Sequence, residues 1–424
     1  MRKDRAAAGR IRRVLIANRG EIAIRVARAC REMGITSIAV YSDADRGAPH
    51  VQAADIAVHI GPPAPSASYL NVDAILAAAR HAGADAIHPG YGFLSENAGF
   101  ARAVEAAGMV WIGPPPATQE ALGNKLAARR SASEAGVPVV PGLLVALDDD
   151  AVSDLEGIGL PVMLKAAAGG GGRGMRRVDD REDMPAAMRA AAREAQSAFG
   201  DGTLYVERLV QPARHVEVQL LGDRHGNLAC LGERDCSVQR RHQKLVEETP
   251  SPGVDGALRQ ALFESARRVA GTVDFHSAAT VEFLVDPEGN HYFLEMNTRL
   301  QVEHGVTELV TGLDLVAWQV RVAQGEALPP EVLEAQPRGH AIEVRVYAED
   351  PWNGFGPVAG TVTTWQAPQG PGVRVDHAVV EGAPLTVEYD PLLAKLMIHA
   401  ADRPAAVARL RRALDETLVA GVQT

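Results

Sequence analysis

The chain has 424 residues and a formal net charge of −10, so it can hold two or three domains and gives no reason to expect nucleic acid or anionic membranes as partners. Its three cysteines argue against a disulfide framework and favour a reducing cytoplasm. It has no apolar run of about 18 residues, so no membrane-spanning helix is predicted. The basic, alanine-rich residues 1–10 are predicted to be a disordered leader rather than a transit peptide.

The first 120 residues alternate short apolar strands with amphipathic helices. Strands are predicted near residues 14–17, 37–41, 55–60 and 85–88, and helices over 21–33 and 72–82. This alternation is typical of a parallel, Rossmann-like sheet. The first turn, Asn18-Arg19-Gly20, lacks the Gly-x-Gly-x-x-Gly pattern, so a dinucleotide site is not predicted. The segment His88-Pro-Gly-Tyr-Gly-Phe93 follows a strand at its carboxyl end, where such sheets usually carry function.

A glycine-rich segment follows the predicted strand that ends near Lys165. Five glycines lie between Gly169 and Gly174. Glycine lets backbone N–H groups face a phosphate without a Cβ in the way, and Lys165 adds a positive charge for phosphate oxygens. No Gly-Lys-Ser/Thr sequence closes the loop, so it is not a Walker A motif. A flexible linker is the alternative interpretation.

A predicted hairpin brings two acids together. Its strands are predicted over residues 280–285 and 291–297. Pairing of Leu284 with Phe293 would place Glu282 opposite Glu295, with Asn297 two residues further along the same face. Two carboxylates and an amide oxygen suit a hard divalent cation, Mg²⁺ or Mn²⁺.

Polar side chains continue at every second position after this hairpin: Glu295, Asn297, Arg299, Gln301 and Glu303. In an extended chain they would share one face, where a metal, an anion and a general base would each find a partner. A solvated sheet face is the alternative, and the apolar neighbours in the same strand disfavour it.

Two further segments complete the pattern. Residues 239–244, Gln-Arg-Arg-His-Gln-Lys, are strongly basic inside an acidic chain, and are either a solvated loop or an anion site. Residues after 339 are predicted to be rich in strands and to end in a helix over 404–418. The strands are predicted near residues 341–347, 360–365, 372–376, 385–388 and 394–399.

The segment Glu-Met-Asn-Thr-Arg-Leu-Gln-Val-Glu-His over 295–304 resembles the signature of the biotin carboxylases, which are ATP-grasp enzymes. The resemblance extends over nearly the whole chain. Its other motifs are Ile16-Ala-Asn-Arg-Gly-Glu-Ile-Ala23, His88 to Asn97, Lys165 with Gly169 to Met175, and Gln239 to Glu248.

The resemblance implies an α/β (α+β) fold in three parts. These are an N-terminal Rossmann-like pre-ATP-grasp domain over 1–120, an ATP-grasp domain over 121–338 with a lid at about 140–207, and a C-terminal β-rich, barrel-sandwich-like subdomain over 339–424. Family members usually continue for some tens of residues, so we expect the last subdomain to be truncated.

The resemblance also implies roles for individual residues. The catalytic residues would be Lys244, Arg299, Glu303 as general base, and Arg345, which would also bind biotin. Bicarbonate would contact Lys244, Arg299, Gln301 and Val302, and the metal ligands would be Glu282, Glu295 and Asn297. ATP would contact Lys125, Lys165, Gly171, Gly172, Glu207, Arg208, Val210, His215, Gln239, His242, Glu282 and Leu284.

The implied reaction is ATP-dependent carboxylation of biotin by bicarbonate through carboxyphosphate. The implied cofactors are ATP and two Mg²⁺ or Mn²⁺ ions. The chain has no Ala-Met-Lys-Met-like attachment site, so biotin would arrive in trans on a carrier domain or protein, with a carboxyltransferase subunit as a further partner. A homodimer is expected, with Arg19 and Glu21 as candidates for its interface. The carboxyl acceptor stays open: acetyl-CoA, propionyl-CoA, a longer acyl-CoA, pyruvate or urea.

Two residues depart from the family pattern. Asn124 stands before Lys125 where many members have an acid, and Gly305 follows His304 where proline is usual. We expect Gly305 to loosen the backbone beside Glu303, with modest effects. Two other functions remain open: a different ATP-grasp ligase, such as a carbamoyl-phosphate-synthesising domain, and a catalytically silent nucleotide-binding subunit.

Overall fold

The computed structural model describes residues 10–143, 158–167 and 175–424. Residues 1–9 of the predicted leader and the predicted glycine loop, including Gly171 and Gly172, lie outside these ranges.

The N-terminal part is a parallel sheet with the strand order β3-β2-β1-β4-β5. Its strands are β1 (Arg13–Ile16), β2 (Thr36–Ser42), β3 (Ile56–Gly61), β4 (Ala86–His88) and β5 (Val110–Trp111). Its helices are α1 (Gly20–Glu32), α2 (Pro49–Ala53), α3 (Val72–Ala82) and α4 (Ala98–Ala106). The Rossmann-like prediction is confirmed. The ends of α3 follow from local chemistry, because the Asn71 side chain accepts from the Ala74 N–H and Gly83 adopts a left-handed backbone.

A second, four-stranded sheet has the order β6-β9-β7-β8. Its strands are β6 (Gly142–Leu143), β7 (Val162–Ala166), β8 (Arg176–Val178) and β9 (Leu204–Arg208). The helices of this region are α5 (Pro116–Gly123), α6 (Lys125–Glu134) and α7 (Met184–Phe199). Asn124 caps α6, since its side chain accepts from the Ala127 N–H at 3.0 Å. Asparagine serves at this position about as well as an acid.

The largest sheet is antiparallel and has the order β14-β13-β10-β11-β12-β15-β22-β20. Its strands are β10 (Arg214–Gly222), β11 (Leu228–Arg240), β12 (Gln243–Thr249), β13 (Ser277–Val285), β14 (His291–Asn297), β15 (His340–Tyr347), β20 (Val373–His377) and β22 (Leu392–Ala400). The predicted C-terminal strands β15, β20 and β22 therefore extend the central sheet that begins in the ATP-grasp region.

The rest of the C-terminal segment forms short strand pairs and one helix. The pairs are β16 (Glu349–Asp350) with β17 (Gly356–Pro357), β18 (Gly360–Thr361) with β21 (Pro384–Leu385), and β19 (Thr364–Gln366) with β23 (Leu418–Ala420). The strand predicted over 360–365 is thus split in two. The final helix α12 (Arg403–Glu416) ends before Leu418, which pairs with β19 instead.

Four more helices lie against the large sheet: α8 (Gly256–Ala270), α9 (His304–Thr311), α10 (Leu315–Ala323) and α11 (Pro330–Leu333). A continuous apolar cluster joins α1 to α10 through side chains such as Ile22, Val26, Leu315 and Val320. This cluster packs the N-terminal sheet against the large sheet. It therefore sets the distance between these two sheets, which form the two walls of a cavity.

The register of the β13–β14 hairpin differs from the prediction in one detail. Leu284 pairs with Tyr292 rather than Phe293, so that predicted pair is wrong. A β-bulge between Glu282 and Phe283 absorbs the difference of one residue. Glu282 consequently still pairs with Glu295, as predicted.

Candidate active site

One cavity of about 1510 Å³ lies where the two walls meet. It takes residues from the carboxyl edge of the parallel sheet, from β7 and β9, from the face of the large sheet, and from the segment after β14. Among the predicted site residues, it is lined by Lys125, Lys165, Glu207, Arg208, Val210, His215, Gln239, His242, Lys244, Glu282, Leu284, Glu295, Asn297, Arg299, Gln301, Val302 and Arg345. Glu303 lies buried behind this lining and contacts it.

Polar residues after β14 reach the cavity without an extended strand. The strand ends at Asn297, and residues 298–303 form an irregular segment that leads into α9. The alternation therefore predicted that these side chains converge. Strand geometry accounts for this only up to Asn297, and the irregular segment places the later side chains.

Glu282 contacts polar groups on three different strands. Lys244 Nζ lies 2.9 Å from its Oε1, His215 Nε2 lies 2.8 Å from its Oε2, and Asn297 Nδ2 donates to its Oε1 at 2.9 Å. Burial raises the pKa of Glu282, but Lys244 and His215 outweigh it and hold that pKa well below its usual range. The carboxylate therefore stays ionised inside the protein.

Glu295 pairs with Lys125, whose Nζ lies 2.8 Å from Glu295 Oε2. Burial raises the pKa of Glu295, but Lys125 and His215 together bring it below its usual range. Two ionised carboxylates on paired positions, with the Asn297 amide beside them, form an oxygen set that fits a hard divalent cation. Lys125 and Lys244 balance this charge in the structure.

Glu303 is held between two cations. Lys244 Nζ lies 2.7 Å from its Oε1, and Arg345 Nη2 lies 3.0 Å from its Oε2. Burial raises the pKa of Glu303, yet Lys244 and Arg345 bring it well below its usual range. Arg345 is anchored in turn by Glu247, which accepts from its Nε at 2.7 Å.

Arg299 is oriented by three neighbours. Its Nε donates to Glu96 Oε2 at 2.9 Å, its Nη1 to Gln301 Oε1 at 2.8 Å, and its Nη2 to Asn297 Oδ1 at 3.1 Å. Glu96 also accepts from the Thr298 N–H at 3.0 Å. Sequence reasoning did not select Glu96, although it belongs to the motif over 88–97.

At the other end of the cavity, Lys165 and Glu207 form an ion pair of 2.5 Å. Glu207 also pairs with the fully buried Arg129, which the sequence analysis missed. Arg208 and Val210 continue the wall from β9, and Gln239 Nε2 lies 2.9 Å from His215 Nδ1.

Glu217 and Arg234 form a buried layer under Lys244 that sequence reasoning also missed. Lys244 Nζ lies 2.6 Å from Glu217 Oε2, and Arg234 Nε donates to Glu217 Oε1 at 2.6 Å. Burial raises the pKa of Glu217, and Glu303 and Glu282 raise it further against Lys244 and Arg234. Glu217 stands two residues after His215 on the same strand, so the alternation along β10 is the signal that could have found it.

The predicted dimer-interface residues have intramolecular partners. Glu21 is buried, accepts from the Tyr91 hydroxyl and lies 3.2 Å from Lys395 Nζ. The prediction that Glu21 lies at a subunit interface is therefore wrong, because α1 turns this side chain into the protein. Arg19 pairs with Asp45 at 2.6 Å and lies over the Tyr389 ring.

All three cysteines are buried and free, as the sparse cysteine content predicted. Burial raises the pKa of the Cys30 thiol to about 12 and that of Cys230 to about 11, which makes both inert at neutral pH. Within residues 10–143, 158–167 and 175–424, no helix combines the length and apolar character needed to cross a bilayer.

Models of known families match three consecutive parts of the chain. Residues 10–119 match "Biotin carboxylase, N-terminal domain", residues 124–331 match "Carbamoyl-phosphate synthase L chain, ATP binding domain", and residues 343–424 match "Biotin carboxylase C-terminal domain". A biotin carboxylase of Halalkalibacterium halodurans is 52% identical over 415 residues, which cover 97% of this chain and 92% of that protein.

Two other similarities carry information about context. The mitochondrial methylcrotonoyl-CoA carboxylase subunit alpha of Oryza sativa subsp. japonica is 50% identical, and the match covers 98% of this chain but 57% of that protein. The biotin carboxylase domain dimer of the Hydrogenobacter thermophilus 2-oxoglutarate carboxylase, solved with MgADP, ADP and bicarbonate, superposes with a TM-score of 0.94 at 45% identity, covering 97% of this chain and 91% of that one.

The near-complete matches agree with the ATP-grasp fold and with the convergence of the predicted residues on one cavity. The chain belongs to the biotin carboxylase family and is an ATP-dependent enzyme of biotin carboxylation.

Proposed function

We propose that the cavity binds MgATP at the Lys165 end and bicarbonate beside Arg299, and that Glu303 acts as the general base. The observation that carries this assignment is the position of Glu303, which contacts Lys244 on the predicted bicarbonate side and Arg345 on the predicted biotin side. We also propose domain boundaries at about residues 120 and 338.

ATP contacts are proposed for Lys125, Lys165, Glu207, Arg208, Val210, His215, Gln239, His242, Glu282 and Leu284, with Gly171 and Gly172 as further candidates outside the described residues. Glu207 is now paired with two cations, so it would have to release Lys165 toward the phosphates when nucleotide binds. Lysine is suited to such a change because its ammonium group moves on a flexible stem.

Glu282, Glu295 and Asn297 would hold the divalent cations, and the triphosphate would supply the further oxygen ligands and negative charge that a second ion needs. When bound, Mg²⁺ supplies charge neutralisation on the phosphate oxygens. The present partners of these acids, Lys125 and Lys244, would then be free to contact phosphate and bicarbonate.

Bicarbonate would lie between Lys244, the Arg299 guanidinium, Gln301 and the Val302 backbone. Binding there would draw Lys244 away from Glu303, and the carboxylate would become more basic as it loses that partner. Glu303 then takes the bicarbonate proton while a bicarbonate oxygen attacks the γ-phosphorus, ADP leaves, and carboxyphosphate forms.

Carboxyphosphate would break down to CO₂ and phosphate within the closed cavity. Phosphate takes the N1′ proton of biotin, and the biotin nitrogen attacks CO₂ to give carboxybiotin. Arg345 would stabilise the enolate-like biotin anion, since its guanidinium already contacts two carboxylates and is held at a fixed position on β15.

The proposed partners are a biotin carboxyl carrier domain or protein, a carboxyltransferase subunit, and a second copy of this chain. The chain matches 57% of a methylcrotonoyl-CoA carboxylase alpha subunit, which supports a place in a multi-subunit carboxylase. A cytoplasmic location stays a prediction from the cysteine content. The final acceptor remains open among the acyl-CoA, pyruvate and urea alternatives.

The test is ADP release with MgATP and bicarbonate, with and without free biotin, for the wild-type chain and for Glu303→Gln. We expect biotin-stimulated, bicarbonate-dependent turnover that falls by about 10³-fold or more in the variant, because the amide cannot accept the proton. Glu264→Gln, an exposed change on α8, is the matched control and should leave turnover unchanged.

Turnover that is indifferent to biotin but needs ammonia would favour a carbamoyl-phosphate-type ligase. ATP binding without any turnover would favour a silent subunit. Full activity in Glu303→Gln would refute the assignment of the base.

A further inference from the structure

Lysine is rare in this chain. It has only five lysines among its 43 basic residues, at positions 3, 125, 165, 244 and 395. Lys125, Lys165 and Lys244 all line the cavity, whereas Lys395 does not. A chain that uses arginine almost everywhere keeps lysine here, which suggests a position where a compact ammonium group is needed.

Lys395 is completely buried on β22, with a side-chain exposure of 0%. Its Nζ donates to the Val302 carbonyl at 2.8 Å and lies 3.2 Å from Glu21 Oε1. The contacts join three distant parts of the chain: α1, the segment after β14, and the C-terminal strands. Burial lowers the pKa of Lys395, but the acids around it, Glu21 first, raise it above its ordinary value, so the group is charged.

The Val302 carbonyl belongs to the peptide unit that ends at the Glu303 N–H and Cα. A peptide unit is planar, so holding its oxygen sets the direction in which Glu303 leaves the main chain. The strand neighbour of Lys395 is Arg345, which contacts the Glu303 carboxylate itself. Arg345 thus holds the side chain of Glu303, and the adjacent Lys395 holds the main chain just before it.

The second contact of Lys395, to Glu21, connects it to the other wall of the cavity. Glu21 accepts from the Tyr91 hydroxyl, and Lys395 Nζ lies 5.8 Å from the centroid of the Tyr91 ring. Glu21, Tyr91 and Val302 all line the cavity. A single buried ammonium group therefore spans the gap between the wall from the N-terminal sheet and the segment that carries Glu303.

We propose that Lys395 is a positioning residue that fixes the Val302–Glu303 peptide, and with it the general base, relative to the Glu21–Tyr91 wall. It touches no substrate and acts through Val302. This proposal rests on the proposed role of Glu303, so its test needs one readout that is independent of turnover.

The test compares three forms of the full chain: wild type, Lys395→Met, and Lys395→Met combined with Glu21→Gln. The single variant leaves Glu21 as an unpaired buried acid and can lose stability for that reason alone. The double variant removes the charge of Glu21 as well, while the hydrogen bond from residue 395 to the Val302 carbonyl is still missing. It therefore distinguishes a loss of positioning from a loss of folding stability. Thermal unfolding of all three forms establishes which of them are folded.

We expect the double variant to unfold closer to wild type than the single variant does, yet to lose at least tenfold in kcat and to need at least fivefold more bicarbonate. ATP binding should stay within twofold, because the Lys165 end of the cavity is untouched. Hydrogen exchange of peptides covering residues 301–306 should be several-fold faster than in wild type, with unchanged exchange in α8.

A double variant with wild-type kcat and KM for bicarbonate would overturn the proposal and would assign the loss in the single variant to unpaired Glu21. Unchanged exchange over residues 301–306 would overturn it as well, even if the wild-type chain showed no turnover. A wild-type chain without biotin-dependent turnover would count against the proposed function separately.

Discussion

Glu303 and Glu343 are both completely buried, and their pKa values shift in opposite directions. Glu303 contacts Lys244 and Arg345, and its pKa lies well below its usual range. Both carboxyl oxygens of Glu343 are without a hydrogen-bond partner among the described residues, and burial raises its pKa well above the usual range. Burial favours the neutral form of both carboxyl groups, and at Glu303 the surrounding cations outweigh it, whereas at Glu343 they do not.

Glu247 lies between these extremes, on the strand next to Glu343. It shares Arg345 with Glu303, and one of its oxygens accepts from the Arg345 Nε at 2.7 Å. Burial raises its pKa to about 7 against the opposing effect of Arg345. Three neighbouring buried acids thus differ: Glu303 before α9 has a lowered pKa, Glu247 on β12 titrates near neutrality, and Glu343 on β15 has a raised pKa.

The largest expected effect comes from Lys244→Met. Lys244 contacts Glu217, Glu282 and Glu303, so its removal leaves three buried carboxylates facing one another. We expect loss of about 3–5 kcal/mol of unfolding free energy and of all measurable turnover. Denaturant unfolding at pH 7 and at pH 5 is the measurement, and protonation should restore part of the stability at pH 5.

Lys125→Met is the control for that variant, because Lys125 contacts one carboxylate, Glu295. It should weaken ATP binding but destabilise the fold much less. Equal destabilisation by the two variants would show that the number of acids around the ammonium group does not matter.

Glu247→Gln tests the group that titrates near neutrality. In the folded protein its pKa is about 7, above the ordinary value of 4.5, so the native state binds more protons than the unfolded state between these values. The wild-type unfolding free energy therefore loses this contribution as pH rises from about 4.5 to about 7, then stays level. Thermal unfolding should show the variant gaining stability relative to wild type across that window, and a constant difference would contradict the assignment.

Gly305→Ala probes the packing beneath Glu303. A Cβ at this position would overlap the Met397 sulfur, and Met397 is itself completely buried. We expect a loss of about 1–3 kcal/mol in unfolding free energy, which Met397→Ala in the same chain should partly restore. If the single variant is as stable as wild type, the close approach to Met397 is not what requires glycine here.

Glu343→Gln should have the smallest effect. An amide replaces an acid that is already neutral, so unfolding free energy should change by less than about 1 kcal/mol and turnover by less than about twofold. Urea unfolding and the ADP-release assay check this at pH 7. A large loss would mean that Glu343 is ionised and paired with Lys395, and the contrast with Glu303 would fail.

The three metal ligands could be predicted because their spacing is local, whereas the nucleotide, bicarbonate and biotin contacts were predicted from the resemblance to the biotin carboxylases. Glu282, Glu295 and Asn297 belong to one hairpin, where strand alternation and a turn place them on one face. Arg129 and Arg234 were missed because packing brings them to the site, and an isolated charged residue in a sequence gives no sign of its partners. Glu217 and Glu96 lie within patterns that could have indicated them, the alternation along β10 and the motif over 88–97.

The alternation of strands and helices, the hairpin with its acids, and the motifs of the family can all be read from the sequence alone. These depend on periods of 2 and 3.6 residues and on neighbours within a few positions. The tertiary structure alone decided that the C-terminal strands extend the central sheet, that Glu21 turns inward, and that Lys395 reaches Val302 across 93 positions of the chain. It also decided which buried acids are charged, because burial and cation contacts set a carboxyl pKa, and both depend on residues that meet only when the chain is folded.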